Sequence, residues 1–108
     1  MPVCIDLTFY TNAKHVREMD EGARQADVGD WAGAAQTWEA GVNFADEKEA
    51  GRLCYNIAIA HEAQGDWANA RKWAERSYVK YGNTKARDYV DQLDRRVWRE
   101  ESAMDQLK

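Results

Sequence analysis

The chain has 108 residues, 44% apolar and 31% charged, which describes one small domain with too many apolar side chains for a disordered tail. Its formal charge of −4 makes nucleic acid a poor partner by bulk electrostatics. No run approaches the roughly eighteen apolar residues of a membrane span, no stretch has the basic-then-apolar build of a signal peptide, and two cysteines are too few for a disulfide framework.

The first element is extended. Val3, Ile5, Leu7 and Phe9 alternate with Cys4, Asp6, Thr8 and Tyr10, a period of two that predicts a strand within 1–11. A lone strand has nowhere to place its backbone hydrogen bonds. Three outcomes stay open. The segment pairs with its copy in a second chain through Val3, Ile5, Leu7 and Phe9, or it closes a sheet domain that precedes it, or it is a linker laid across the helices.

A helical domain is predicted over 12–98, with a charged tail over 99–108. The first helix starts after Asn12 and runs to about Val28, with Val16, Met19, Ala23 and Ala26 on one stripe. Its partner spans Trp31 to Phe44 and uses Ala34, Ala35, Trp38 and Val42, completing a hairpin over 12–45. Asp46 and Glu49 have the spacing of a capping box, so a third helix starts there and carries Leu53, Cys54, Ile57, Ala58, Ala60 and His61. The fourth, from Trp67 to about Tyr81, shows Ala70, Trp73, Ala74, Ser77, Tyr78 and Tyr81 and closes a second hairpin over 46–82. The fifth, over 84–98, places Ala86, Tyr89, Val90, Leu93 and Val97 on one stripe, as expected of a helix that caps a stack. The tail beyond it is expected to fray.

Within this pattern a motif recurs. Gly29-Asp30-Trp31-Ala32-Gly33-Ala34 and Gly65-Asp66-Trp67-Ala68-Asn69-Ala70 agree at five of six positions, at an offset of 36. A period of this size in a helix-forming chain points to stacked hairpins. Each glycine ends a helix in a left-handed conformation, each aspartate caps the next, and each tryptophan covers the junction.

The stretch from Gly51 to Asn83 resembles a tetratricopeptide repeat: Ala58 at the small position of the first helix, Gly65-Asp66 at the turn, Ala70 and Ala74 in the second helix. Cys54, His61 and Gly82 depart from the family's usual residues, and Ser77 stands where it has a further alanine. His15 to about Asp46 is a weaker copy, with Trp38 at a normally small position. The resemblance implies an all-α, right-handed stack of two antiparallel hairpins plus a C-terminal capping helix. Tyr55-Asn56, Gly65-Asp66, Trp73-Ala74, Tyr78, Tyr81-Gly82-Asn83 and Tyr89 also look like the C-terminal helical region of uncharacterised Bacteroidetes lipoproteins. That resemblance would imply a periplasmic or outer-membrane-tethered parent; without it a cytoplasmic setting is expected.

In tetratricopeptide repeats the first helix of each hairpin lines a concave groove that takes peptides. Carried over by position, the lining includes Met19, Ala23, Arg52, Tyr55, Asn56, Ile59, Glu62 and Tyr89. The competing reading is plain packing beneath the capping helix. One subclass grips a terminal carboxylate, and Asn56 matches its asparagine. The other positions fall on Met19, Ala23, Ala86 and Val90, which cannot hold a carboxylate, so the resemblance does not extend to that subclass.

No catalytic, cofactor or metal site is expected. His15 and His61 are too few to ligate a metal, Cys4 and Cys54 form no CxxC, and no glycine-rich phosphate loop exists. His61 reads as a core or half-buried residue, and Trp98, in a basic turn, reads as a protein contact. The leading function is a protein- or peptide-binding scaffold without enzymatic activity. The alternative is a structural helical domain supporting an upstream sheet-rich domain of a surface or periplasmic lipoprotein, with the groove filled by the protein's own strand or tail and surface contacts concentrated at Val3 to Tyr10. An enzyme would need a closed polar pocket, around His61 or Asn56.

Overall fold

The computed structural model describes residues 9–10 and 16–106, with side chains through 96. Five helices follow in order: α1 (Arg17–Asp27), α2 (Trp31–Val42), α3 (Glu47–Ala63), α4 (Trp67–Val79) and α5 (Thr84–Gln106).

The repeated motif is repeated geometry. Gly29 and Gly65 have φ of +83° and +79°, a conformation that costs glycine nothing because it lacks a Cβ. The Gly29 N–H donates to the Ala26 carbonyl and the Gly65 N–H to that of Glu62, both at 2.9 Å. The next amides, of Asp30 and Asp66, reach back to Gln25 and His61, again at 2.9 Å. Together these bonds satisfy carbonyls that a helix end leaves open. The same aspartates then accept from the amides of Gly33 and Asn69 at 3.0 and 3.2 Å, capping α2 and α4.

At α3 the expected capping box is only half formed. Asp46 accepts from the Glu49 amide at 2.8 Å. The Glu49 carboxylate turns instead toward Arg52, at 3.5 Å, and its other oxygen is buried without a hydrogen-bond partner. Helix boundaries differ from the sequence pattern: α2 and α4 stop at Val42 and Val79, two residues before Phe44 and Tyr81. α1 begins at Arg17, with the expected cap, Asn12, outside the described residues. α5 continues past Trp98 to Gln106, so the tail expected to fray is helical that far.

Each helix packs chiefly on its neighbour in the chain, which gives an all-α helical-repeat arrangement of 51 × 30 × 18 Å. The stripe Val16, Met19, Ala23 and Ala26 is buried against Ala34, Ala35 and Trp38. Trp38 fits because Gly22 makes room: a Cβ there would lie 2.2 Å from the indole Nε1. That nitrogen donates to the Met19 carbonyl at 3.1 Å, so the buried ring leaves no polar atom unpaired.

α3 is the central helix, and every residue from Leu53 to Ala60 is buried. Neighbours α2 and α4 account for two of its sides. Phe9 and Tyr10 pack against the core from outside the helices. On α4 the buried face is narrower than the pattern suggested: Ala70, Ala74 and Ser77 are buried, Trp73 is half-buried and Tyr78 is exposed, while Tyr81, half-buried, lies in the turn beyond the helix. On α5, Ala86, Tyr89 and Leu93 are buried and Val90 is half-buried.

Phe9 and Tyr10 are in no strand. These two residues lie across the helices. Phe9, expected to support self-association, packs on Trp31 and Trp38 of its own chain. Val3, Ile5 and Leu7 lie outside the described residues.

Candidate functional site

An asparagine in an apolar helix must find hydrogen-bond partners, because an unpaired buried amide costs about 1–3 kcal/mol. Asn56 is fully buried in the middle of α3. Its Oδ1 accepts from the backbone N–H of Tyr10 at 2.8 Å, and its Nδ2 donates to the Tyr10 carbonyl at 2.7 Å. Nδ2 also donates to the Met19 sulfur at 3.1 Å. One side chain thus pairs both backbone groups of a residue that has no strand neighbour, and Met19 braces it from α1.

The two aromatic side chains of the segment diverge from this anchor. The Phe9 ring meets Trp31 edge-on at 5.8 Å and Trp38 at 5.5 Å, both from α2. Tyr10 stands edge-on to Tyr55 at 5.6 Å, and Tyr55 lies 5.4 Å from Tyr89 on α5. Such offset and edge-on pairs contribute about 0.5–1.5 kcal/mol beyond their buried area. The Arg52 guanidinium is 5.0 Å from the Tyr10 ring centre, and the Lys85 ammonium is 5.3 Å from Tyr10 and 5.4 Å from Tyr55.

Beneath the tyrosines a carboxylate is buried. Glu62, whose side chain is 1% exposed, accepts from the Tyr89 hydroxyl through one oxygen and from Arg96 through the other. A buried carboxylate without such partners would be strongly destabilising. Burial, and then the bond to Glu62, push the Tyr89 hydroxyl far above the usual phenol range. Burial raises Tyr55 to about 12, with Tyr10 and Glu62 adding to the effect. Burial likewise lifts the Cys54 thiol to about 11, which keeps it from being a nucleophile at neutral pH.

The residues expected to line a groove therefore have three fates. Arg52, Tyr55 and Asn56 touch Tyr10, with Met19 directly behind Asn56. Glu62 and Tyr89 form the supporting layer. Ala23 and Ile59 are core residues, the first in the cluster built by α1, α2 and α3 and the second in that of α3, α4 and α5. The sequence pattern missed Lys85 and Arg96 as parts of the site, and it held filling of the groove by the chain's own strand as an alternative. One signal pointed to such filling: Asn56 sits in an otherwise apolar stretch of α3 and demands a backbone partner from elsewhere.

His61 is half-buried, as expected, with its Nδ1 3.6 Å from the Asp66 carboxylate. Among the described residues, no group of three or more metal-ligating side chains gathers, and no helix is long and apolar enough to cross a membrane. The side chains of Trp98 and Cys4 lie outside the described residues.

A family model described as a domain of unknown function, DUF6340, matches residues 20–95. The chain belongs to this family. The match runs from α1 into α5 and includes Arg52, Tyr55, Asn56, Glu62 and Tyr89 of the DUF6340 domain, while Phe9, Tyr10 and Met19 precede it. Comparison with curated proteins and with solved structures returns no match.

Proposed function

We propose that this DUF6340 domain is a protein- or peptide-binding scaffold whose groove clasps an extended, aromatic-bearing segment, and that in this chain the segment Phe9–Tyr10 occupies it. The observation that carries this reading is the pair of hydrogen bonds from Asn56 to the backbone of Tyr10. Backbone bonds of this kind are indifferent to the side chains of the guest. Selectivity then falls to the aromatic contacts with Trp31, Trp38 and Tyr55, residue types that commonly anchor interfaces. The tetratricopeptide-like reading of the hairpins fits this placement, since α3 is the first helix of the second hairpin. The role is non-enzymatic, a reading supported by the raised thiol pKa of Cys54 and the structural pairing of Glu62.

A fluorescein-labelled peptide, Leu-Thr-Phe-Tyr-Thr-Asn, tests the proposal on the full chain carrying Phe9→Ala and Tyr10→Ala, with circular dichroism confirming that the helices persist. Saturable binding is expected. The native chain should bind more weakly, by about tenfold or more, because its own tethered segment competes at high effective concentration. Absence of saturable binding to the emptied chain overturns the reading.

A second reading is favoured by the same self-occupancy. The clasp would then be a permanent joint, with the helices supporting a sheet-rich domain of a surface or periplasmic lipoprotein. Hydrogen exchange separates the two. Under the joint reading the Tyr10 amide exchanges only with global unfolding, as the core of α3 does; under the scaffold reading it opens far more often.

A further inference from the structure

Beside Tyr10 the surface opens into a cleft of about 440 Å³, lined by Lys48 and Arg52 of α3, by Glu47, and by Tyr81 and Thr84 where α4 passes into α5. Its charge is opposite to that of the chain as a whole. Lys48 and Arg52 line it, Lys85 flanks the same Tyr10 ring, and Lys80 lies 5.5 Å from the ring of Tyr81. Glu47 also lines it, and Asp46 and Glu49 are close in the chain. The lining itself, two cations to one carboxylate, is net positive on a protein of net charge −4.

Among the described residues Arg52 meets one carboxylate, Glu49 at 3.5 Å, and the face of Tyr10. A guanidinium offers a fork of donors suited to a carboxylate, and charge-assisted bonds of this kind are about twice as strong as neutral ones. Lys48 and Arg52 stand in the first two turns of α3, Lys80 at the end of α4 and Lys85 in the first turn of α5, at positions other than Met19, Ala23, Ala86 and Val90, which a terminal-carboxylate grip would use.

We infer that this cleft takes an acidic side chain of the peptide whose aromatic pair fills the clasp, so that the preferred partner is a segment with Asp or Glu beside an aromatic pair. The inference rests on the clasp proposed above and specifies its partner.

The test uses the full chain with Phe9→Ala and Tyr10→Ala, and labelled Phe-Tyr-Glu-Glu and Glu-Glu-Phe-Tyr peptides beside their Gln counterparts. Both orders are needed because the guest's direction past Tyr10 sets which neighbour meets the cleft. One acidic peptide should bind about fivefold or more tighter than its Gln version. That advantage should shrink as salt rises from roughly 0.05 to 0.5 M, because exposed charges are screened. Arg52→Gln and Lys85→Gln should each reduce the ratio of acidic-peptide to Gln-peptide affinity, a ratio in which their contact with the guest's tyrosine ring cancels. Equal binding of acidic and Gln peptides overturns the inference and leaves the clasp standing. An acidic advantage unchanged in both variants overturns it too, since the charge would be read elsewhere. Failure of every peptide to bind overturns the clasp itself.

Discussion

The two hairpins share a turn and differ in what they do with it. At the offset of 36 that relates them, Gly22 corresponds to Ala58 and Trp38 to Ala74. The first hairpin fills its helix crossing with a glycine and an indole; the second uses two alanines, both fully buried. Met19 corresponds to Tyr55, and the exposed Asp20 to the buried Asn56. Equivalent backbone positions thus carry an exposed ion-pair partner in one hairpin and a buried, backbone-reading polar group in the other. The turn chemistry sets the scaffold, and the residues between the turns decide which hairpin holds Tyr10.

Trp38→Ala should have the largest effect on this contrast. It removes a fully buried ring and leaves the Met19 carbonyl without its donor, so about 3–5 kcal/mol of stability should be lost in urea unfolding. Ala74→Gly, its counterpart, should cost only about 1 kcal/mol, mainly through helix propensity. Equal losses would show that the two crossings are packed alike.

Asn56→Ala should cost about 1–3 kcal/mol, because it strips the partners from the backbone of Tyr10. Asp20→Ala at the equivalent exposed position should fall within about 0.5 kcal/mol. Hydrogen exchange at Tyr10 should accelerate in the first variant and not in the second.

The tryptophans after the two caps are a closer match. Trp31 and Trp67 are both half-buried at the first position of their helices, although Trp31 also receives the edge of Phe9. Trp67→Ala should therefore cost about 1–2 kcal/mol, less than a fully buried ring. Trp31→Ala should cost slightly more, and the difference should vanish when Phe9 is also alanine, a coupling that a double-mutant cycle measures.

The smallest effect concerns pH. The Asp66 carboxyl is held below its ordinary value, first by the Asn69 side-chain amide and then by the Asn69 backbone. A carboxyl whose folded pKa is lowered stabilises the fold fully above its unfolded value, about 3.9, and loses that contribution as pH falls through the folded value. The urea midpoint should fall as pH drops below about 4, and Asp66→Ser should flatten part of that slope.

Much of the scaffold was legible in the sequence because its signals are local. A glycine that adopts positive φ, an aspartate that reaches an amide three residues on, and a stripe at helical spacing each act within one or two turns. Gly29-Asp30, Gly65-Asp66 and the stripe Val16, Met19, Ala23, Ala26 needed no distant partner to be read. Capping at Asp46 was equally local, but the answering half of the box depended on Arg52 drawing Glu49 away. Why Trp38 is buried while Trp73 stays half-exposed was not legible, because it turns on Gly22 lying opposite one and not the other.

By itself the sequence determined five helices, their turns and their order, since backbone hydrogen bonding and steric freedom are decided over a few residues. Only the tertiary structure decided that Asn56 meets Tyr10, that Tyr89 and Arg96 neutralise Glu62, and that Lys85 comes to face Tyr10 beside Arg52. Those contacts join residues 27 to 75 positions apart, and such distances are spanned only once the helices have stacked.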